Sequence, residues 1–374
     1  MQIRVERDVL AHAVSWAART LPSRPSMPVL SGVMLVAEGD RLTLSSFDYE
    51  ISARVQIAVD VLTPGKTLVS GRLLADITKS LPAAPVVLKV DGNRVAIECG
   101  RSTFTLPTLP VEDYPSLPEM PDTAGNVDTE VFAQAVSQVA IAAGKDDTLP
   151  VLTGIRMEID GTNVTLAATD RYRLAVRTFP WTPKKTSIEL NTLIPAKILA
   201  DTAKNMSGAD TVAFAIAPDG EKLVGFESEG MRTTTRLLDG EFPKYRSLLP
   251  NESATRAVVD TQELLNAVKR VALVAERNTP IRMTFEGSEL SLRAGTGEDA
   301  QANETIEASV DGDVIEIAFN PGFLIDGLNA IAAPKALFSF TQSTKPAVIT
   351  GMTSEGSPVE EDYRYLLMPI RLTG

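Results

Sequence analysis

Three stretches of this chain follow one plan, and that repetition constrains the fold more than any other feature. In the first, Asp8-Val9-Leu10 opens a helical run, Met27-Pro28-Val29-Leu30-Ser31-Gly32 follows, and Arg41–Ser46 alternates as a strand before Asp48. The second runs from Thr129-Glu130-Val131-Phe132 through Leu149-Pro150-Val151-Leu152-Thr153-Gly154 to a strand at Asn163–Ala168 before Asp170. Pro28 to Pro150 and Asp48 to Asp170 share one spacing, 122 residues, which marks a duplication. The third copy is more diverged. Asp260 and Glu263 are spaced as a capping box, Thr279–Met283 stands where the Pro-Val-Leu segment stood, and Glu289–Ala294 is the strand.

The second half of each copy recurs too. Leu73-Leu74-Ala75-Asp76, Ile198-Leu199-Ala200-Asp201 and Phe323-Leu324-Ile325-Asp326 are spaced by 125 residues. Each opens a short helix after a strand (Lys66–Val69, Ile188–Ile194, Val314–Phe319), and alternating strands such as Val86–Val90 and Val95–Glu98 follow. Turn chemistry closes the copies: Pro115, Pro118, Pro121 and Gly125 after the first, Pro250-Asn251-Glu252-Ser253 after the second. The expected domains are 1–121, 125–250 and 254–374. The expected class is α+β, with two helices backed by antiparallel sheets in each copy. A helix laid on a sheet turns one face inward and leaves the other free, so three copies can build one shared surface.

Composition removes most catalytic chemistry. The single histidine, His12, falls on the polar side of its helix, so histidine metal sites and acid–base triads have no basis. Cys99 is alone and reads as a buried structural thiol in a strand; it also favours a reducing, cytoplasmic setting. The start MQIRVERDVL carries charges where an export signal needs an apolar run, and no apolar stretch is long enough to span a membrane. Pro64-Gly65-Lys66-Thr67 lacks the upstream glycine of a phosphate loop and reads as a turn, as does Gly295-Thr296-Gly297. Asp146-Asp147 and Glu360-Glu361 read as solvated loop acids. No catalytic residue, metal ligand or cofactor is expected.

Charge is unevenly distributed. The chain holds 36 lysines and arginines against 48 acids, a net charge of −12. The six predicted helices carry Arg7, Arg19, Arg72, Lys79, Lys197, Lys204, Lys269 and Arg270 against Asp8, Asp76, Glu130, Asp201, Glu263 and Asp326. They sum to +2 and everything else to −14. A near-neutral helical surface on an acidic body tolerates a polyanion without gripping it. No aromatic residue is regularly interleaved with the cations, so stacking on single strands is not expected. A repeated scaffold that binds peptides only is the competing reading.

At this point the chain resembles a known family over essentially its whole length, the bacterial DNA polymerase III beta subunits, or sliding clamps. The resemblance rests on the three copies and on Arg24-Pro25 with Pro28-Val29-Leu30. It rests equally on Ala168-Thr169-Asp170-Arg171-Tyr172-Arg173-Leu174-Ala175, on Asp239-Gly240-Glu241-Phe242-Pro243-Lys244-Tyr245 and on Tyr365-Leu366-Leu367-Met368-Pro369-Ile370-Arg371-Leu372. It implies a head-to-tail homodimer closing a six-domain ring, with helices inside and sheets outside, that encircles duplex DNA irrespective of sequence. Such a ring is a processivity factor and not an enzyme. Arg24 and Arg72 match DNA-touching positions; Asp146 falls where relatives differ and is given no role. A peptide pocket between the second and third copies is implied at Leu152, Thr169, Arg171, Tyr172, Arg173, Leu174, Pro243, Leu248, Asn320, Phe323, Met368, Pro369 and Arg371. In it, Arg173, Arg371 and Asn320 are expected to fix polar groups of the peptide. Many members have Gly-His where this chain has Arg171-Tyr172, which alters the pocket's rim. The replicative polymerase, clamp loader and repair polymerases are the implied partners, and peptide-like inhibitors fit the same pocket. Phe104 and Leu106 are the implied dimer contacts of the first copy, Leu273 and Val274 those of the third.

Overall fold

Amphipathic spacing sets the helices. In α1 (Arg7–Ala18) the buried positions Leu10, Ala13, Val14 and Ala17 recur at three- and four-residue steps, while His12 is exposed. The other helices among the described residues are α2 (Gly71–Ser80), α3 (Thr129–Ala140), α4 (Ala196–Asn205), α5 (Thr261–Val271) and α6 (Pro321–Ala330). Asp260 caps α5, its Oδ1 accepting from Glu263 N at 2.8 Å, and Asn320 caps α6 in the same way. The computed structural model describes residues 1–206, 208–217, 222–250, 252–275, 279–295, 300–359 and 362–371. Asn251, Thr296, Gly297, Glu360, Glu361 and Leu372 of the sequence reading lie outside the described residues.

The chain divides into two compact units, one of Met1–Thr129 with Asn205–Leu237, the other of Glu130–Lys204 with Leu238–Gly374. In the first, α1 packs on α2 and on strand Ile51–Ala58. Strands Gly32–Glu38, Arg41–Phe47 and Ile51–Ala58 form an antiparallel meander, and Ile51–Ala58 then pairs with Met231–Arg236 of the second copy. In the second unit the related meander, Gly154–Asp160, Asn163–Thr169 and Arg173–Pro180, pairs through its last strand with Asp362–Leu367 of the third copy. Each junction between copies is thus a continuous sheet, so compactness follows hydrogen-bonded strands across the repeat boundary. The third copy adds a four-stranded sheet, and its core stacks Phe285, Phe338 and Phe340 with ring centroids 4.9–6.0 Å apart.

Several local expectations change. Pro28–Ser31 and Pro150–Thr153 are short 3-10 helices with proline in the first turn, but in the third copy strand Ile281–Glu286 starts directly after Pro280. Gly65–Ser70 is a strand paired with Gly32–Glu38, as expected for Lys66–Val69, and it begins inside the Pro64–Thr67 stretch that reads as a turn. Arg19 falls just beyond α1, so the helices carry seven cations against six acids and sum to +1, leaving −13 elsewhere. Cys99 is buried, and its Sγ donates to Pro82 O and Ala84 O at 3.3 Å, a packed structural thiol.

Candidate functional site

The second unit gathers most of the predicted pocket residues around one turn. Between strands Asn163–Thr169 and Arg173–Pro180, Arg171 adopts φ +77°, a left-handed conformation costing about 1 kcal/mol outside glycine. Four hydrogen bonds hold it there. Asp170 Oδ1 accepts from Tyr172 N and Arg173 N at 3.0 and 3.1 Å. Thr169 Oγ1 accepts from Arg171 N and donates to Arg173 O. Tyr49 in the first copy, 122 residues earlier, has the same φ over an Asp48 that accepts from Glu50 N and Ile51 N.

The turn exposes Arg171 and Tyr172 and buries Thr169, Arg173 and Leu174. The Tyr172 ring stacks on Phe323 of α6 at 6.3 Å, and Tyr172 O accepts from Met368 N at 2.9 Å, which joins the turn to the C-terminal segment. Leu174 lies in an apolar cluster with Val176, Leu193, Phe242, Tyr245, Val348 and Leu366, flanked by Val151 and Leu249. Next to those flanks in the chain stand Leu152, half-buried, and Leu248, 50% exposed. Pro243 and Pro369 are half-buried; Met368 and Arg371 are exposed. An apolar cluster thus lies beside the turn, with Tyr172, Leu248 and Met368 exposed on the segments that contribute to it.

Two polar residues differ from expectation. Arg173 Nε donates to Asp170 at 3.0 Å, its Nη1 to Asp326 of α6 at 2.6 Å, and its guanidinium lies 4.3 Å from the centre of the Phe323 ring. Burial opposes its charge, but the hydrogen bond to Asp326 and the contacts with Tyr365 and Asp170 outweigh that and raise its pKa. Arg173 therefore pins turn to helix, with Nε held by Asp170 and Nη1 by Asp326 of α6. Asn320 Oδ1 accepts from Phe323 N at 3.1 Å, so its side-chain oxygen serves as the cap of α6.

A second anchor escaped the sequence reading. Glu158 accepts from Tyr245 Oη at 2.9 Å, from Arg156 Nε at 2.6 Å and from Arg246. Burial would raise the Glu158 pKa; the hydrogen bonds from Arg246 and Tyr245 reverse this and lower it. These bonds fasten the 3-10 helix Tyr245–Leu248, and with it Leu248, to strand Gly154–Asp160. The signal lay in a charged pair alternating outward on a strand, which alone reads as a solvated face.

The first unit holds the predicted DNA contacts. Arg72 and Arg24 are both exposed, and Arg72 donates to Pro22 O at 3.0 Å, which brings the start of α2 to the loop bearing Arg24. The exposed faces of the second helices repeat: Arg72, Asp76 and Lys79 on α2 correspond at 125 residues to Lys197, Asp201 and Lys204 on α4. On α6 the same places hold Gly322, Asp326 and Asn329, so the cations belong to two copies of three. Arg270 of α5 is paired with Glu304 and adds little free charge. Among the dimer candidates, Leu273 is 84% exposed, Phe104 37%, and Val274 half-buried. Leu106 is 1% exposed in its own domain, which makes it a core residue with no surface to offer a second chain. Among the described residues no group of histidine, cysteine or acid side chains could hold a metal, and no helix is long and apolar enough to cross a membrane.

Models of the DNA polymerase III beta subunit match in three parts: the N-terminal domain over residues 1–118, the central domain over 126–244 and the C-terminal domain over 246–371. The chain belongs to that family. It is 57% identical over 376 residues to the beta sliding clamp of Streptomyces coelicolor, covering 100% of both chains. It is 45% identical to the beta sliding clamp homolog GriR of Streptomyces muensis, over 99% of each. Among solved structures, the Pseudomonas aeruginosa sliding clamp bound to griselimycin superposes with a TM-score of 0.92 at 27% identity, covering all of both chains. The Bacillus subtilis clamp has a TM-score of 0.92 at 27% identity, over 100% of this chain and 99% of that one. The three copies are therefore three tandem clamp domains, and the family's role is that of a DNA sliding clamp, a processivity factor without catalysis.

Proposed function

We propose that two copies of this chain close head to tail into a six-domain ring around duplex DNA, with domains 1–121, 125–250 and 254–374, in the cytoplasm. The observation that carries this is the whole-length match to a clamp family by a chain built as three tandem copies. A topological link replaces chemical affinity, which is why an acidic chain can serve DNA: the helices need only be near neutral, with Arg24, Arg72, Lys79, Lys197 and Lys204 supplying weak phosphate contacts. Phe104 of one chain and Leu273 with Val274 of the other form the apolar part of the closing contact. Replacing Leu273 and Val274 with alanine should give monomers by light scattering at low micromolar concentration. An unchanged dimer mass would reject that contact.

The turn at Arg171, α6 and the Met368 segment form the docking pocket for short peptides of polymerases, loader and repair proteins. Apolar walls accept the hydrophobic end of an extended segment, and methionine adapts to several shapes. Exchange among partners calls for affinities near about 1 μM, or about −8 kcal/mol. The pocket equally suits a peptide-like inhibitor; the Pseudomonas aeruginosa clamp, for its part, is solved bound to griselimycin. Truncation from Met368 onward should abolish binding of a polymerase tail peptide in fluorescence polarisation while the dimer mass in light scattering persists. Undiminished peptide binding would contradict the assignment.

A further inference from the structure

One wall of the candidate peptide pocket belongs to a stiff piece of chain. Leu248 stands half exposed at the end of the 3-10 helix Tyr245–Leu248. Local hydrogen bonds brace that stretch: Tyr245 N donates to Pro243 O at 2.7 Å, Ser247 N to Lys244 O at 3.2 Å and Leu249 N to Arg246 O at 3.3 Å. Where the piece sits therefore decides where Leu248 stands.

Two kinds of contact set its place. The first is apolar. Phe242 and Tyr245 are buried in the cluster around Leu174 and meet edge to face at 6.1 Å, with Leu249 packed against the same cluster. Gly240, at φ +126°, lets the chain pass so close to Val151 that a Cβ there would strike its side chain. The second is ionic and converges on Glu158. Its Oε1 accepts from Arg156 Nε at 2.6 Å; its Oε2 accepts from Tyr245 Oη at 2.9 Å and from Arg246. The Arg246 guanidinium lies 5.1 Å from the centre of the Tyr245 ring and that of Arg156 lies 6.0 Å from the centre of the Phe242 ring. Apolar burial alone can keep the piece on the sheet, but it is non-directional and tolerates sliding. A carboxylate whose side chain is only 13% exposed costs desolvation that an apolar residue would avoid. What it adds is direction, because charge-assisted bonds to both of its oxygens are satisfied in one placement of the piece.

We propose that Glu158 is a positioning residue for peptide selection: through Tyr245 and Arg246 it sets Leu248 where the pocket can tell a large apolar peptide end from a small one. This role rests on the peptide pocket proposed above, and Glu158 itself touches no peptide in it. The test uses the full chain and two fluorescein-labelled polymerase tail peptides that differ only in the terminal apolar residue, leucine in one and alanine in the other. Fluorescence polarisation should show the wild-type chain binding the leucine peptide at least about tenfold more tightly. Glu158→Gln, which keeps the side chain's shape and removes its charge, and Tyr245→Phe, which keeps the buried ring and removes the bond to Glu158, should each cut that preference to about threefold or less. The loss should fall on the leucine peptide, with affinity for the alanine peptide held within about twofold. Tyr245→Phe decides the matter should Glu158→Gln not fold. A loss shared equally by both peptides would mean a loosened pocket, and an unchanged preference would mean that Glu158 sets nothing; either result overturns the proposal and leaves the pocket standing. A wild-type chain that binds neither peptide, or both alike, would overturn the pocket's apolar selection along with it.

Discussion

At the residue scale, the candidate site depends on a few buried charges that the sequence could name but not place. Arg173 was legible as a pocket residue because it sits in a recognisable string; that its donors turn inward to Asp170 and Asp326 depends on α6, 153 residues away. Glu158 was invisible for the same reason, since its partners Tyr245 and Arg246 come from a distant segment. Its folded pKa lies below the unfolded value, so its stabilisation is complete above the unfolded pKa and is lost as pH falls through the folded one. Glu158→Gln should therefore lower stability at neutral pH and flatten the decline of stability below about pH 4, read from urea midpoints across pH. A decline as steep as in the wild type would remove Glu158 from the account.

At the element scale, repetition made helix positions easy to read, because the spacing of apolar residues and the 125-residue landmarks agree. Junctions were harder. Nothing local in Arg173–Pro180 says that it pairs with Asp362–Leu367, since both edges read as ordinary alternating strands. Thr279–Met283 stands where the Pro-Val-Leu segment stood, but its described residues enter a strand at Ile281 and form no 3-10 turn. Close packing at the junction also has a sequence cost. A Cβ at Gly327 would lie 2.3 Å from the Tyr365 ring, whose hydroxyl donates to Phe323 O at 2.8 Å. Helix propensity alone favours alanine over glycine by about 1 kcal/mol. Gly327→Ala should nonetheless destabilise the chain by about 1–3 kcal/mol and weaken polymerase-peptide binding, because Phe323 must shift. Stabilisation in denaturant, with peptide binding intact, would show that α6 has room to move.

At the scale of the whole molecule, the charge pattern acquires meaning only with closure. Seven cations and six acids on the helices, against −13 elsewhere, would be a trivial asymmetry in a scaffold. Around a threaded polymer the same figures describe a bore that does not hold on. Two of three second helices share the cation spacing of Arg72 with Lys79 and Lys197 with Lys204, so the bore of the proposed ring would be lightly attractive without a continuous basic track. The measurement that tests this account most directly is retention on DNA after loader-driven assembly, compared between closed circular duplex and the same duplex cut once. Enclosure predicts that the protein stays on the circle at high salt and runs off the linear form within the time of the assay. Equal release from both would mean that the chain holds DNA by surface contact or not at all.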